Sequence, residues 1–530
     1  MYNPPVLMPA QVRLVAAFPR PVDVAVAAAR SCYSPQLVPP AKVAGEHLAE
    51  EEARQAALAR RDKLAQSLYL AGHHTTFQHA HFLFAIEGVS RQFVWSFLHA
   101  HPFANSEQVS QRYVPVAEDA VYEPPTLPEK AKAEYQSTVA HLHAAYRQLV
   151  EALSPIAEAE LLARFPTWKR HPERLARQTQ RKAQEVARAV LPLATLTSLY
   201  HTISCLTLFR YRRLCAQADV PEETRGVVGA MVAEALRWDP TLEKLFQEPI
   251  ALEETPEYRC FLEFHSASPQ PAAFREEFDR QLGGLSSRLM SWGQRNQEAV
   301  AAAVRTVLGV TEAQLPTTEA IRLVLDPSRN TLLGEELNLT TLSKLSRALH
   351  HAHYTFAKKL SHAADSQDQR HRMTPAARPL LWAVVDEEPD VVVPKLVQHA
   401  GGKALSLFED AVSRAWEGAQ KLLRAGASRE HALYLLPNAL AIRFVESADL
   451  LNLHHKHRMR LCYNAQEEIW QASWEEAEQI AAVDPEIGRF LLPPCAVRKA
   501  AGKSPICPEG DRFCGIPVWR LQRKDYRRLI

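Results

Sequence analysis

The chain is poor in several features that would place it in a familiar class. It has 18 glycines in 530 residues, and none lies in a Gly-rich phosphate loop; a zincin helix and a Gly-x-Ser-x-Gly elbow are missing too. Those three chemistries are therefore excluded. Eight cysteines in 530 residues are too few for a disulfide scaffold, so reduced thiols and a cytoplasmic location are expected. No apolar run approaches the roughly 20 residues that span a bilayer. The opening segment lacks a basic stretch followed by an unbroken apolar core, so neither a membrane partner nor a signal peptide is expected. Net charge is scarce as well. The 62 basic residues are scattered among 60 acidic ones, leaving +2 and no footprint for a nucleic acid.

What is present is helix-forming sequence rich in Ala, Leu, Glu, Arg and Gln. Amphipathic spacing predicts helices over 46–70, 128–153, 180–189, 221–237, 274–306, 403–425 and 474–481, with short strands at 12–18, 82–88 and 321–325. The Pro- and Ser-rich stretch 265–273 reads as a linker, giving domains 1–262 and 273–530. The two halves echo each other. "EVARAVLP" (185–192) is matched by "EHALYLLP" (430–437), and each precedes an expected helical run rich in His and Arg, 200–214 and 452–470. The common order of elements points to a diverged tandem duplication.

Three constellations carry chemistry. In "SEQVSQRY" (106–113), Gln108, Ser110 and Arg112 alternate, so an extended segment would present all three on one side, suited to a phosphate or a pyrimidine ring. The competing reading is a polar turn. In "SQDQRHRM" (366–373), Arg370, His371 and Arg372 are adjacent and cannot share a helix face, so they point apart or wrap one large polyanion; a solvated helix face is the alternative. Arg460 lies on a helix that also carries His455. Separately, Cys495, Cys507 and Cys514 cluster in a Pro/Gly-rich tail. This resembles a structural zinc knot with Cys462 or a histidine as fourth ligand, against the alternative of plain buried or exposed thiols.

Taken together, these segments resemble the flavin-dependent thymidylate synthases. That family carries an arginine-histidine-arginine triplet, then a serine continuing S-x-R-Y, then a late helix closing on R-x4-A-Q-W-E-I-R. Early family features are similar to "AARSCYS" (28–34) and "HHTTFQHAHFLFAIEGVSR" (73–91). The likeness covers most of both halves, and each copy is degraded differently. The first reads His99-Ala100-His101 at the triplet but keeps the S-x-R-Y segment and Arg188; its late arginine falls on Cys215. The second keeps Gln367, Arg370-His371-Arg372 and Arg460, but Leu380 and Leu433 replace the serine and the earlier arginine.

The resemblance implies an α+β fold, helix-dominated, in two fused copies with helices packed around a small mixed sheet. It implies reductive methylation of dUMP, with FAD as cofactor and methylenetetrahydrofolate and NADPH as co-substrates. The partners are then a pyrimidine nucleotide and a folate. Arg460 would be catalytic. Gln108, Ser110, Arg112, Arg188, Gln367 and Arg370 would bind the nucleotide. His73, Thr75, Arg370, His371, Arg372, Asp449 and His455 would contact the flavin or folate. Family sites form between subunits of a homotetramer, so a homodimer of this fused chain would rebuild a pseudo-tetramer with composite sites. Another uracil nucleotide as substrate, or a non-catalytic relative, stays open at this stage.

Overall fold

The computed structural model describes residues 10–530, apart from 100–102, 115, 118–119 and 266–270. Ala100 and His101 of the degraded triplet, and most of the expected linker, therefore lie outside the described residues. The chain forms two units. The first comprises Met1–Ala140, Pro192–Pro269 and Gly418–Leu435; the second comprises His141–Leu191, Gln270–Glu417 and Leu436–Ile530. Each unit thus takes a segment from the opposite half of the sequence.

Both are helix-dominated around one antiparallel sheet. The first sheet has β1 (Gln11–Ala17), β2 (His81–Ser90), β3 (Ala104–Gln108) and β4 (Leu196–Ser204), in the order β1-β2-β4-β3. The second has β5 (Ser287–Trp292), β6 (His353–Ser361), β7 (Ala376–Ala377) and β8 (Ala441–Asp449), in the order β5-β6-β8-β7. His81 pairs with Ser204 and His353 with Asp449, so the two sheets repeat one register. A bulge between Glu87 and Val89 is the main irregularity of β2, and β6 runs past β8 without one. The expected α+β fold in two fused copies is what the chain adopts, but each sheet is antiparallel throughout and not mixed.

The inner strands of each sheet run directly into helices. β2 feeds Arg91–His99, β4 feeds Cys205–Leu214, β6 feeds His362–Asp368 and β8 feeds Leu450–Arg460. A short polar side chain makes each turn possible by accepting a hydrogen bond from an otherwise unpaired N–H of the first helical turn. Ser361 accepts from Ala364, Ser204 from Thr207, Asp449 from Asn452 and Ser90 from Phe93. These junctions carry the chemistry-bearing residues. Behind them lie apolar cores, with Phe82, Phe84 and Phe93 fully buried in the first unit and Ile321, Phe356 and Leu450 in the second. No helix among the described residues is long and apolar enough to cross a membrane.

Three expectations need correction. Residues 321–325 are not a strand but the end of the helix Thr317–Leu325; Ala320, Ile321, Val324 and Leu325 are buried at helical spacing, which outweighs their β-branched character. The stretch 274–306 is not one helix. Gly283 and Gly284, both at positive φ, end a first helix, and β5 intervenes before Asn296–Leu308. The run 200–214 is likewise strand β4 and then helix.

Candidate functional site

In the second unit, four sequence-predicted residues and one unforeseen residue meet. Arg188 sits in a short 3-10 turn, Arg188–Val190, after the helix Pro172–Ala187. Asn438 fixes that turn by donating its side-chain amide to the Arg188 carbonyl at 3.0 Å. The Arg188 Nη2 donates to Gln466 Oε1 at 3.0 Å, and Gln367 Nε2 donates to the same oxygen. Gln466 is the residue sequence reasoning missed. It lies in "AQEEI" (465–469), where this chain carries the Ala-Gln that closes the family's late-helix pattern.

A second contact set fixes Arg460, the last residue of its helix. Its Nε donates to His371 Nε2 at 2.9 Å and its Nη2 to the Gln367 carbonyl at 2.6 Å. A guanidinium only donates, so His371 Nε2 is the acceptor; the imidazole is neutral and carries its proton on Nδ1. Electrostatics agree. Burial, then the charges of Arg460 and Lys456, hold His371 well below the ordinary histidine range. The His455 ring meets His371 edge-on at 6.1 Å and is also held low, by burial first and then by Arg458 and Arg460.

Arg370 and Arg372 are exposed on either side of half-buried His371. The triplet follows the helix His362–Asp368 in a turn, which is how three neighbours point in different directions. Just before it, Gln369 is 7% exposed, and among the described residues neither its Oε1 nor its Nε2 has a hydrogen-bond partner. A buried amide left unsatisfied is costly, and a ligand carrying donors and acceptors relieves it. Two exposed guanidiniums for a diphosphate, with an unsatisfied amide beside them, fit a dinucleotide flavin. Asp449 accepts from Asn452 N–H at 3.0 Å and from the Asn452 side-chain amide at 2.7 Å, and it pairs with His350 at 3.2 Å.

The remaining predicted residues belong to the first unit. His73 and Thr75 are exposed around the 3-10 turn His74–Gln78. Gln108 ends β3 and accepts from Arg91 Nη1 at 3.4 Å. The extended reading of 108–112 needs correction, because the chain turns after Val109. Tyr113 N–H donates to the Ser110 carbonyl at 3.1 Å, and Arg112 N–H to Ser110 Oγ at 3.3 Å. A serine hydroxyl that captures its own backbone favours such a turn over a strand.

Among the described residues no group of three or more His, Cys, Asp or Glu is placed to hold a metal ion. Burial, then neighbouring thiols, pushes the Cys495 thiol up to about 12, and Cys514 is raised by burial as well while its Sγ contacts the Ile516 carbonyl. Cys507 is half-buried.

One pair recurs in both units. Glu223 accepts from Ser90 N–H at 2.7 Å, Ser90 Oγ at 2.6 Å and Tyr434 OH at 2.8 Å. In the second unit Glu468 takes the N–H and Oγ of Ser361 in the same way. Burial pushes each carboxyl from 4.5 up to about 7. A folded carboxyl that keeps its proton longer than the unfolded one favours the fold fully below about 4.5, and this advantage is lost as pH rises through about 7. For Glu223 the loss is roughly 3 kcal/mol. Glu223→Gln will therefore flatten the pH dependence of stability in that window, measured by urea unfolding at pH 5 and pH 8. An unchanged slope would show that Glu223 does not titrate there.

With Ser90 and Glu223 matched to Ser361 and Glu468, equivalent positions can be counted. Cys215 and Pro221 stand in the first unit where the second has Arg460 and Gln466. Ser96 stands at the place of Gln367.

The family model for thymidylate synthase complementing protein matches residues 13–241 and again 288–486. Among curated proteins, a flavin-dependent thymidylate synthase of Sulfurisphaera tokodaii is 30% identical over 159 residues, which is 28% of this chain and 59% of that protein. One from Clostridium tetani is 27% identical over 241 residues, 45% of this chain and 86% of that protein. One from Geobacter sulfurreducens is 31% identical over 182 residues, 33% of this chain and 75% of that protein.

Proposed function

The chain belongs to the thymidylate synthase complementing protein family, the flavin-dependent thymidylate synthases, and from that premise we propose that it reductively methylates dUMP at a site in its second unit. The observation that carries the reading is the meeting of Arg188 from the first repeat with Gln367 and Gln466 from the second, beside Arg460 and His371. FAD, when bound, supplies hydride, with methylenetetrahydrofolate as the carbon source and NADPH as the reductant. Arg370 and Arg372 would hold its diphosphate and Gln369 its hydrogen-bonding edge.

The chain's own residues bind, orient and polarise. Arg188 would take the nucleotide and, in a homodimer, Arg112, Ser110 and Gln108 would join it, the arginines gripping the phosphate through charge-assisted hydrogen bonds. Gln367 would face the nucleotide while Gln466 holds its amide in place. Attack by uracil C5 requires negative charge to gather over N3, C4 and O4. Arg460, fixed by two hydrogen bonds before substrate arrives, stabilises that charge without reorganising. Neutral His371 keeps the guanidinium aimed and adds no competing positive charge. His73, Thr75, Asp449 and His455 would line the flavin and folate, and a homodimer would supply the assembly.

The test is direct. Purified protein should show a flavin absorption band and release tritium from C5-labelled dUMP faster than from UMP. Preference for UMP would reassign the sugar, and a colourless protein releasing no tritium would refute the reading.

A further inference from the structure

Next to the triplet in sequence, at Asp368, lies a buried ionic cluster. Lys358 on β6 and Lys456 on the helix Leu450–Arg460 are fully buried, as are Asp368, Glu446 on β8 and Glu476. Lys358 Nζ lies 2.9 Å from Asp368, 2.9 Å from Glu476 and 3.4 Å from Glu446. Lys456 Nζ reaches Asp368 at 3.0 Å and also contacts Glu446. Burial opposes the Asp368 charge, but the two ammoniums overcome it and hold the carboxyl well below its usual range. Burial, then the Asp368 charge, raises Glu446.

The first unit fills the same five places without this network. Counting from the paired anchors His81/Ser204 and His353/Asp449, and from the two Ser–Glu pairs, Lys358 corresponds to Ile86 and Asp368 to Phe97. Glu446 corresponds to His201, Lys456 to Tyr211 and Glu476 to Met231. All five are buried. The Phe97 ring lies 4.6 Å from Tyr211 and 5.0 Å from His201, and His201 Nε2 is 3.2 Å from the Tyr211 hydroxyl. One protein thus builds this fold twice, once around a ring cluster and once around ions. The fold does not need the ions, and buried ion pairs are in general weak stabilisers beside apolar packing of like volume.

What distinguishes the ionic copy is its attachment to the triplet. Asp368 immediately precedes residues 369–373, and Thr374 immediately follows them. Thr374 Oγ1 donates its single proton to the His371 carbonyl at 2.8 Å and lies 3.3 Å from Glu446 Oε2. The loop is thus tied to the cluster at both ends. In the first unit Ser106 pairs with His201 as Ala376 pairs with Glu446, so the place of Thr374 holds Ala104, which has no hydroxyl to donate.

We infer that Lys358, Lys456, Asp368, Glu446 and Glu476 are positioning residues that fix the loop between Asp368 and Thr374, so that its arginines and Gln369 are set before a ligand arrives. That the ligand is a flavin rests on the proposed function; that the cluster fixes the loop does not. The experiment transplants the first unit's set as Lys358→Ile, Asp368→Phe, Glu446→His, Lys456→Tyr and Glu476→Met. The expected protein unfolds no earlier than the wild type, exchanges the backbone amides of 369–374 at least about tenfold faster while β6 is unchanged, and binds added FAD at least about tenfold more weakly. Asp368→Asn is a second variant that leaves two ammoniums matched by two carboxylates; it should loosen the same amides alone. Unchanged loop exchange in both variants overturns the inference, as does failure of both to fold, since the cluster would then be holding the structure together. A wild type that binds no FAD counts against the proposed function only, because amide exchange still decides the role of the cluster.

Discussion

Arg460→Ala will lower turnover of the uracil nucleotide by about a hundredfold or more while the flavin band is retained. Loss of one preorganised transition-state donor in a water-poor site costs on the order of 3 kcal/mol. The guanidinium is held from both sides, by His371 Nε2 and by the Gln367 carbonyl, so the wild type meets its substrate with the donor already placed. Arg460→Lys keeps the charge but lacks the planar fork, so it should recover only a minor part of the rate. Single-turnover measurement of tritium release separates this loss from weaker binding. A rate within a few-fold of wild type would remove Arg460 from the chemistry. Altering Cys215, at the matching place in the first unit, should leave turnover unchanged.

The largest stability effect is expected at Lys456. Lys456→Met leaves three buried carboxylates facing a single ammonium, and removing one partner from such a cluster typically costs about 3–5 kcal/mol. Lys456 is fully buried and contacts both Asp368 and Glu446, so water cannot replace it without opening the unit. The lower unfolding midpoint in urea reports the loss. The fivefold transplant, which removes all the charges together, should not share this penalty, and that contrast is the signature of uncompensated charge. A Lys456→Met protein as stable as the wild type would show that the cluster is solvated.

The sequence carried the groups that act through exposed or half-exposed chemistry. The crowding of Arg370, His371 and Arg372 was legible from the residues alone, whereas Gln367, Arg460 and Arg188 were legible through the resemblance to the family's motifs. Lys358 and Lys456 were not. In "HYTFAKKLS" the alternation of Tyr354, Phe356, Lys358 and Leu360 places one lysine on the buried face, a signal available only once the strand is known to have a single inward side. Lys456 sits among histidines and arginines that read as a solvated helix, yet Leu453, His454 and His457 around it are buried. Gln369 was hidden by its charged neighbours. The misread strand at 321–325 and the missed β5 have one cause: short apolar runs do not declare their period until packing selects it.

The segment exchange between the units has a genetic consequence. Cutting the gene at the linker would not yield two smaller proteins, because His141–Leu191 would leave with the wrong half and Gly418–Leu435 would be stranded on the other. Each unit is encoded by stretches on both sides of the linker, so the two halves of the gene have to be expressed as one reading frame.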